Sequence, residues 1–107
     1  MAKGKYVYIA KMDIPPEHEA LFNHLYDNEH FPQFTKVPGV LEMERYELIE
    51  TKNVGLPKYA AIYHLDSPEV LRSSEWRTAA DTGEWAPKIR PHTYNRIHGL
   101  YRKIGSL

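Results

Sequence analysis

Two stretches of this chain, Tyr6-Val-Tyr-Ile-Ala10 and Tyr59-Ala-Ala-Ile-Tyr63, are apolar at odd and even positions alike. Their aromatic and β-branched content reads as strand. Successive side chains of a strand point to opposite faces of a sheet, so a strand that is apolar at both parities needs cover on both faces. With 107 residues the chain is long enough for one hydrophobic core and too short for two. Residues 1–107 are read as a single domain that needs a second layer from elsewhere.

The remaining elements follow from local chemistry. Asp13-Ile-Pro-Pro ends the first strand, because Pro15 and Pro16 cannot extend a ladder. A proline fits the first turn of a helix, and Glu17 and Glu19 suit its N-terminus. The helix is expected from about Pro16 to His30, with Phe22, Leu21, Leu25 and Glu29 on one side, Tyr26 at the edge, and Asn23 and Asp27 opposite. Pro32 should break it, with a short helical turn following to Val37. Pro38-Gly39 is a turn. Val40 to Ile49 is a second strand, with Leu41, Met43 and Arg45 on one face; Glu42 and Glu44 on the other suggest an edge. The strand Lys58–Leu65 comes next. Asp66 or Ser67 then caps a helix from Pro68 to about Ala80 that carries Trp76. Glu84 to Pro91, which includes Trp85, is irregular or a short helical turn. Tyr94 to Ile104 is the last strand.

This β-α-β-β-α-β order is the split βαβ, or ferredoxin-like, arrangement of an α+β protein. Right-handed crossovers put both helices on one face of a four-stranded antiparallel sheet. The other face is left without cover, and the simplest source of it is a second copy of the chain, in a homodimer paired through the sheet faces.

Composition limits the partners. Acidic and basic residues balance at 14 each, so the basic excess of a nucleic-acid binder is missing. No acidic residue follows Glu84, while Lys88, Arg90, Arg96, Arg102 and Lys103 do. That basic end is either an ordinary solvated strand or a partner for the acidic strand Glu42, Glu44, Glu47 and Glu50, within or between subunits. There is no cysteine, no signal-peptide core and no apolar run able to span a bilayer, which fits a cytoplasmic protein. His18, His24 and His30 recur every six residues and project from different sides of a helix. With His64, His92 and His98 they would bind a metal only by converging across elements, so no metal is expected. The chain lacks a phosphate-cradling glycine loop, a nucleophile elbow and a cysteine nucleophile, so neither a cofactor nor covalent catalysis is expected.

The candidate site is the stretch Tyr26-Asp-Asn-Glu29-His30-Phe-Pro32. An imidazole titrates nearest neutral pH, so His30 is the leading group for proton transfer. Glu29, toward the apolar side, would orient it, and Tyr26, four residues earlier, could present its hydroxyl to the same space. Each has a plainer alternative: His30 as a helix-end cation, Glu29 bonded to backbone or arginine, Tyr26 as a core residue with a wet tip. Arg45 is either an anchor for a carboxylate or enolate oxygen or a bridge to a neighbouring strand or to Glu29. Phe22, Phe34, Trp76, Trp85 and the tyrosines would wall an aromatic pocket for a planar or cyclic substrate, or simply pack in the core.

The pattern Asp-Ile-Pro-Pro-Glu17, Tyr26-Asp-Asn-Glu-His30-Phe-Pro32, Val-Pro-Gly39 and Arg45-Tyr46 resembles the EthD-like branch of the dimeric α+β barrel superfamily. So do Pro57-Lys-Tyr-Ala-Ala-Ile-Tyr63, the helix with an embedded tryptophan, and Tyr94-Asn-Arg96. The resemblance covers nearly the whole chain. It implies a ferredoxin-like subunit paired sheet to sheet, with a small-molecule cavity between sheet and helices. The superfamily includes lactone isomerases, cofactor-free monooxygenases, decarboxylase- and dehydratase-like enzymes and haem-degrading members. The expected function is therefore cofactor-independent proton transfer, of isomerase, lyase or decarboxylase type, on a small apolar oxygenated cyclic or aromatic compound. The alternatives are cofactor-free oxygenation of a phenol and a non-catalytic small-molecule-binding dimer.

Overall fold

The computed structural model describes residues 4–107. Strand β1 (Tyr6–Asp13) leads into helix α1 (Pro16–Leu25), a π turn (Tyr26–His30) and α2 (Phe31–Phe34). Strands β2 (Val40–Glu47) and β3 (Tyr59–Leu65) follow, then a 3₁₀ turn (Pro68–Arg72), α3 (Ser74–Asp81), α4 (Trp85–Lys88), a second 3₁₀ turn (Arg90–His92) and β4 (Tyr94–Arg102). All sheet pairings are antiparallel, in the order β2-β3-β1-β4. This is the α+β, ferredoxin-like arrangement, with β2 at an edge as its glutamates suggest. The acidic strand β2 and the basic strand β4 occupy opposite edges, so within one chain they do not pair. No helix among the described residues is long and apolar enough to cross a membrane.

Register explains the two apolar strands. Tyr8 faces Tyr63, and Ala10 faces both Ala61 and His98, so these residues share one face. That face packs on the helices: Tyr63 meets Phe34 and Trp76, Tyr8 meets Trp76, and Tyr59 meets Phe22. Large tyrosines alternating with alanines leave space over the centre of the sheet. The opposite face carries Val7, Ile9, Ile62, Ile97 and Tyr101, and in the single chain Ile97 and Tyr101 are more than half exposed.

Four local readings change. The helix does not break before Pro32. In an α-helix the ring of Pro32 would clash with the carbonyl of Asn28, four residues earlier. Here the turn widens, and the Phe31 N–H donates to the Tyr26 carbonyl, five residues back. The helix thus passes through the proline into α2 and shifts the direction of the side chains around the turn. Leu21, expected on the buried side, is 42% exposed. The second helix divides at Ser73, whose extended backbone separates the 3₁₀ turn from α3 and whose hydroxyl accepts the Trp76 N–H at 3.1 Å. Ser67 caps the 3₁₀ turn in the same way, through the Glu69 N–H. Replacing Ser73 with alanine should lower stability by about 1 kcal/mol, read from the urea midpoint at unchanged slope. In β2 the pairing shifts between Val40 and Glu42, which brings Val40 onto the helix-covered face with Met43 and Arg45 and leaves Leu41 half exposed.

Candidate active site

A cavity of about 160 Å³ lies between the tyrosine face of the sheet and the helices. Ala10 and Met12 floor it, Tyr8, Tyr26, Tyr63, Phe34, Trp76 and Trp85 wall it, and His30, Arg90, Arg96 and His98 supply its polar groups. An apolar cavity of roughly 150 Å³ is enough for one benzene-sized ring.

His30 sits at its centre of gravity chemically. Its ring stacks on Trp85 at 4.1 Å and is crossed edge-on by Tyr26 and Phe34. The residue is 4% exposed, and burial, reinforced by Arg90 and Arg96, pushes its pKa down to about 3. The imidazole is therefore neutral at pH 7. Two buried polar atoms of the wall, His30 Nδ1 and Trp85 Nε1, have no hydrogen-bond partner. Such atoms are rare in folded proteins because leaving them unpaired costs about 1–3 kcal/mol each.

Tyr26 and Tyr63 place their hydroxyl oxygens 3.2 Å apart. Burial raises the pKa of both, so both stay protonated. One O–H is used between them and the other is free to donate, which suits an oxyanion partner and not a base. Tyr8, also raised by burial, completes the phenol wall.

The other sequence candidates divide. Tyr26, His30, Phe34, Trp76 and Trp85 meet at the cavity. Glu29 does not line it. Its Oε1 accepts the backbone N–H groups of Glu84 and Trp85, at 2.7 and 2.8 Å, and so closes the first turn of α4. The π turn carries Glu29 off the inward direction that an unbroken helix would give it, and backbone, not His30, is its partner. Gly83, with φ +91°, leaves the room: a Cβ there would lie 2.5 Å from the Glu29 carboxyl carbon. Arg45 lies outside the cavity too. It bridges to the helix instead of to a strand, donating to Asp27 Oδ1 and Asn23 Oδ1 at 2.6 Å each, with its guanidinium 4.6 Å above the Tyr26 ring. Phe22 is fully buried behind Tyr26 and Tyr59, as core and not wall.

Sequence reasoning took in Tyr8 and Tyr63 only with the tyrosines as a group, weighed His98 only as a metal ligand, and gave Arg90 and Arg96 no place in the cavity. The available signal was the tyrosine–alanine alternation at Tyr8-Ile-Ala10 and Ala61-Ile-Tyr63, which marks a strand face with a hollow. On the opposite face one atom each of Glu42, Glu44 and His64 lies within 4.8 Å of the others, across β2 and β3, and Glu44 Oε1 is 2.6 Å from His64 Nε2. This is a convergence of metal-ligating types that helix spacing could not show, and in this structure the imidazole serves as hydrogen-bond partner to the carboxylate.

Solved structures share this architecture. An EthD family protein from Bacillus halodurans C-125 superposes with a TM-score of 0.67 at 17% identity, covering 92% of this chain and 99% of its own. The fold is that of the EthD-like proteins. The same EthD-like fold occurs in SnoaB, a cofactor-independent oxygenase from Streptomyces nogalater, at TM-score 0.65 and 19% identity over 95% of each chain. A variant of MhuD with two manganese protoporphyrins per active site matches at TM-score 0.72 and 12% identity, over 95% of this chain and 97% of that one. No protein-family model matches the sequence, and no curated protein does. Identities this low carry the EthD-like fold and leave the chemistry to the site itself.

Proposed function

We propose that the cavity is the site of a cofactor-independent enzyme that moves a proton on a small, oxygenated aromatic or cyclic compound, as an isomerase, lyase or decarboxylase. The observation that carries this is the buried His30, stacked on Trp85 with its Nδ1 unpartnered, within an aromatic cavity with cations at hand. An imidazole whose conjugate acid is so disfavoured takes a proton only if the resulting anion stays beside it. The arginines and the Tyr26–Tyr63 hydroxyls are placed to hold such an anion, since each favours a negative oxygen in a site of low dielectric. His30 would abstract the proton, the hydroxyl pair would donate to the developing oxyanion, and the return of the proton to a different atom would complete an isomerisation. Glu29 acts at one remove, by holding Trp85 against His30.

A second reading, oxygenation of a phenol, is favoured by the likeness to SnoaB. It shares the first step: the deprotonated, electron-rich substrate then gives an electron to dioxygen, which is the oxidant. The two are separated by incubating candidate phenols and cyclic ketones with the protein in D₂O. Deuterium entering substrate without oxygen supports the first reading, and oxygen uptake matched to substrate loss supports the second. Raised thermal stability with neither would leave a binding protein.

The open face of the sheet, with Val7, Ile9, Ile97 and Tyr101, is read as the meeting surface of a homodimer. Sedimentation at micromolar concentration should give a dimer; a monomer would refute that assignment.

A further inference from the structure

Of the two arginines in the cavity wall, only one is already paired. Arg90 donates to Asp81 Oδ1 at 2.9 Å and to the Ala80 carbonyl, and lies over the Trp85 ring. Arg96 has no carboxylate within ion-pair distance among the described residues. It is nevertheless held in place. Arg96 Nη1 donates to Thr93 Oγ1 at 2.8 Å and Nη2 lies 3.2 Å from His98 Nε2. For that second contact to be a hydrogen bond the imidazole must accept, and burial keeps His98 on the neutral side.

The backbone here is specialised as well. Between Lys11↔Ile97 and Asp13↔Tyr94 the β1–β4 register shifts, so Asn95 and Arg96 together oppose Met12, a residue of the cavity floor. Asn95 takes up the irregularity with φ 52°, a left-handed conformation that asparagine tolerates better than most residues. Its side chain fixes the bulge by donating to Asp13 Oδ2 at 2.9 Å and to the Gly55 carbonyl at 2.7 Å. Bulges of this kind set the direction of side chains beside sites. Two side chains and a left-handed residue thus hold one cation at the edge of an aromatic cavity, with no acid among the described residues within ion-pair distance of it.

From this geometry we infer that Arg96 is an anion receptor, and that the cavity takes a single-ring aromatic compound bearing an anionic oxygen group, carboxylate or phenolate. The inference deepens the proposed function by naming its substrate class, and its chemistry is that of a guanidinium, whose paired N–H donors match the two oxygens of a carboxylate or the one of a phenolate. Arg96 also sits on the helix-covered face of β4 and is exposed to solvent at the mouth of the cavity, so an acid carried by a ligand can reach it.

The test uses the intact protein and calorimetric titration with benzoate, its neutral isostere benzamide, and 4-nitrophenol, whose colour reports its ionisation. Benzoate should bind at least 10-fold more tightly than benzamide, and Arg96→Gln should bring that ratio close to one, while Arg96→Lys keeps part of it. Bound 4-nitrophenol should ionise at lower pH than free 4-nitrophenol if phenolates are taken; preference for benzoate without that shift narrows the class to carboxylates. Equal binding of benzoate and benzamide in the unmodified protein overturns the inference without need of any variant, as does a preference that survives in Arg96→Gln. Catalysis is scored apart from binding. Arg96-dependent binding of benzoate without turnover of any acid would sink the enzymatic reading and keep the receptor, whereas turnover of neutral compounds unaffected by Arg96→Gln would do the reverse.

Discussion

Replacing His30 with glutamine should reduce turnover of a deprotonated substrate by about 10²–10⁴-fold, the usual contribution of a positioned acid–base group, while leaving affinity for small aromatics within a few fold. Steady-state rates and titration on the same preparation check this, and a variant with unchanged turnover would remove His30 from the mechanism. The same substitution has a signature in stability that does not depend on knowing the substrate. The folded-state pKa of His30 is about 3, against an unfolded value near 6.5. Between those values the unfolded chain binds a proton that the folded chain refuses, so the contribution of this site is present above about pH 6.5 and is lost as pH falls toward 3. The loss amounts to a few kcal/mol at most, on the order of the shift itself. Urea titrations from pH 7 to 4 should therefore show the unmodified protein weakening more steeply than His30→Gln, with the two converging at acid pH. Parallel curves would mean that the imidazole is not held neutral by its surroundings.

Glu29→Ala should cost about 2–3 kcal/mol, because a charged acceptor serves two backbone N–H groups at the start of α4 and both would lose it at once. Glu29→Gln retains a carbonyl oxygen for the same donors and should cost less than half as much. A pure general-base role would give the opposite pattern, with both variants equally inactive and both fully stable. The structure also ties stability to the site, since Trp85 N–H is one of the donors and the Trp85 ring lies on His30. The tryptophan emission of Glu29→Ala should shift toward that of a wetter indole, and any loss of turnover should track that shift. A stable Glu29→Ala protein with native emission would show that α4 is held by its packing alone.

How far the chain could be read in advance depends on the range of the physics involved. The alternating elements, the prolines at helix starts, the serine caps and the acidic edge strand are governed by neighbours in sequence, and each is legible there. So is the apolar character of both faces of the two central strands, because Tyr6–Ala10 and Tyr59–Tyr63 are apolar at both parities. The aromatic character of the pocket and the place of His30 and Tyr26 in it follow from one amphipathic helix facing one strand face. Glu29 was not legible in the same way. Its direction is set by a π turn that Pro32, six residues past the Tyr26 carbonyl that closes the turn, makes favourable, and by acceptor-seeking N–H groups more than fifty residues away.

Arg45 and Arg96 show the division most plainly. By sequence they are two arginines on two strands, each with an aliphatic or aromatic neighbourhood and no means of telling them apart. Tertiary structure gives Arg45 an acid, Asp27, and a helix to lie against, and gives Arg96 a bulge, a hydroxyl and an imidazole but, among the described residues, no acid. The sequence by itself determined the layers of this protein and which helix would carry the imidazole, since hydrophobic period and turn chemistry act over a few residues. Only the folded chain decided which cation stays unpaired beside that imidazole, because charge pairing is settled by distances between segments remote in sequence.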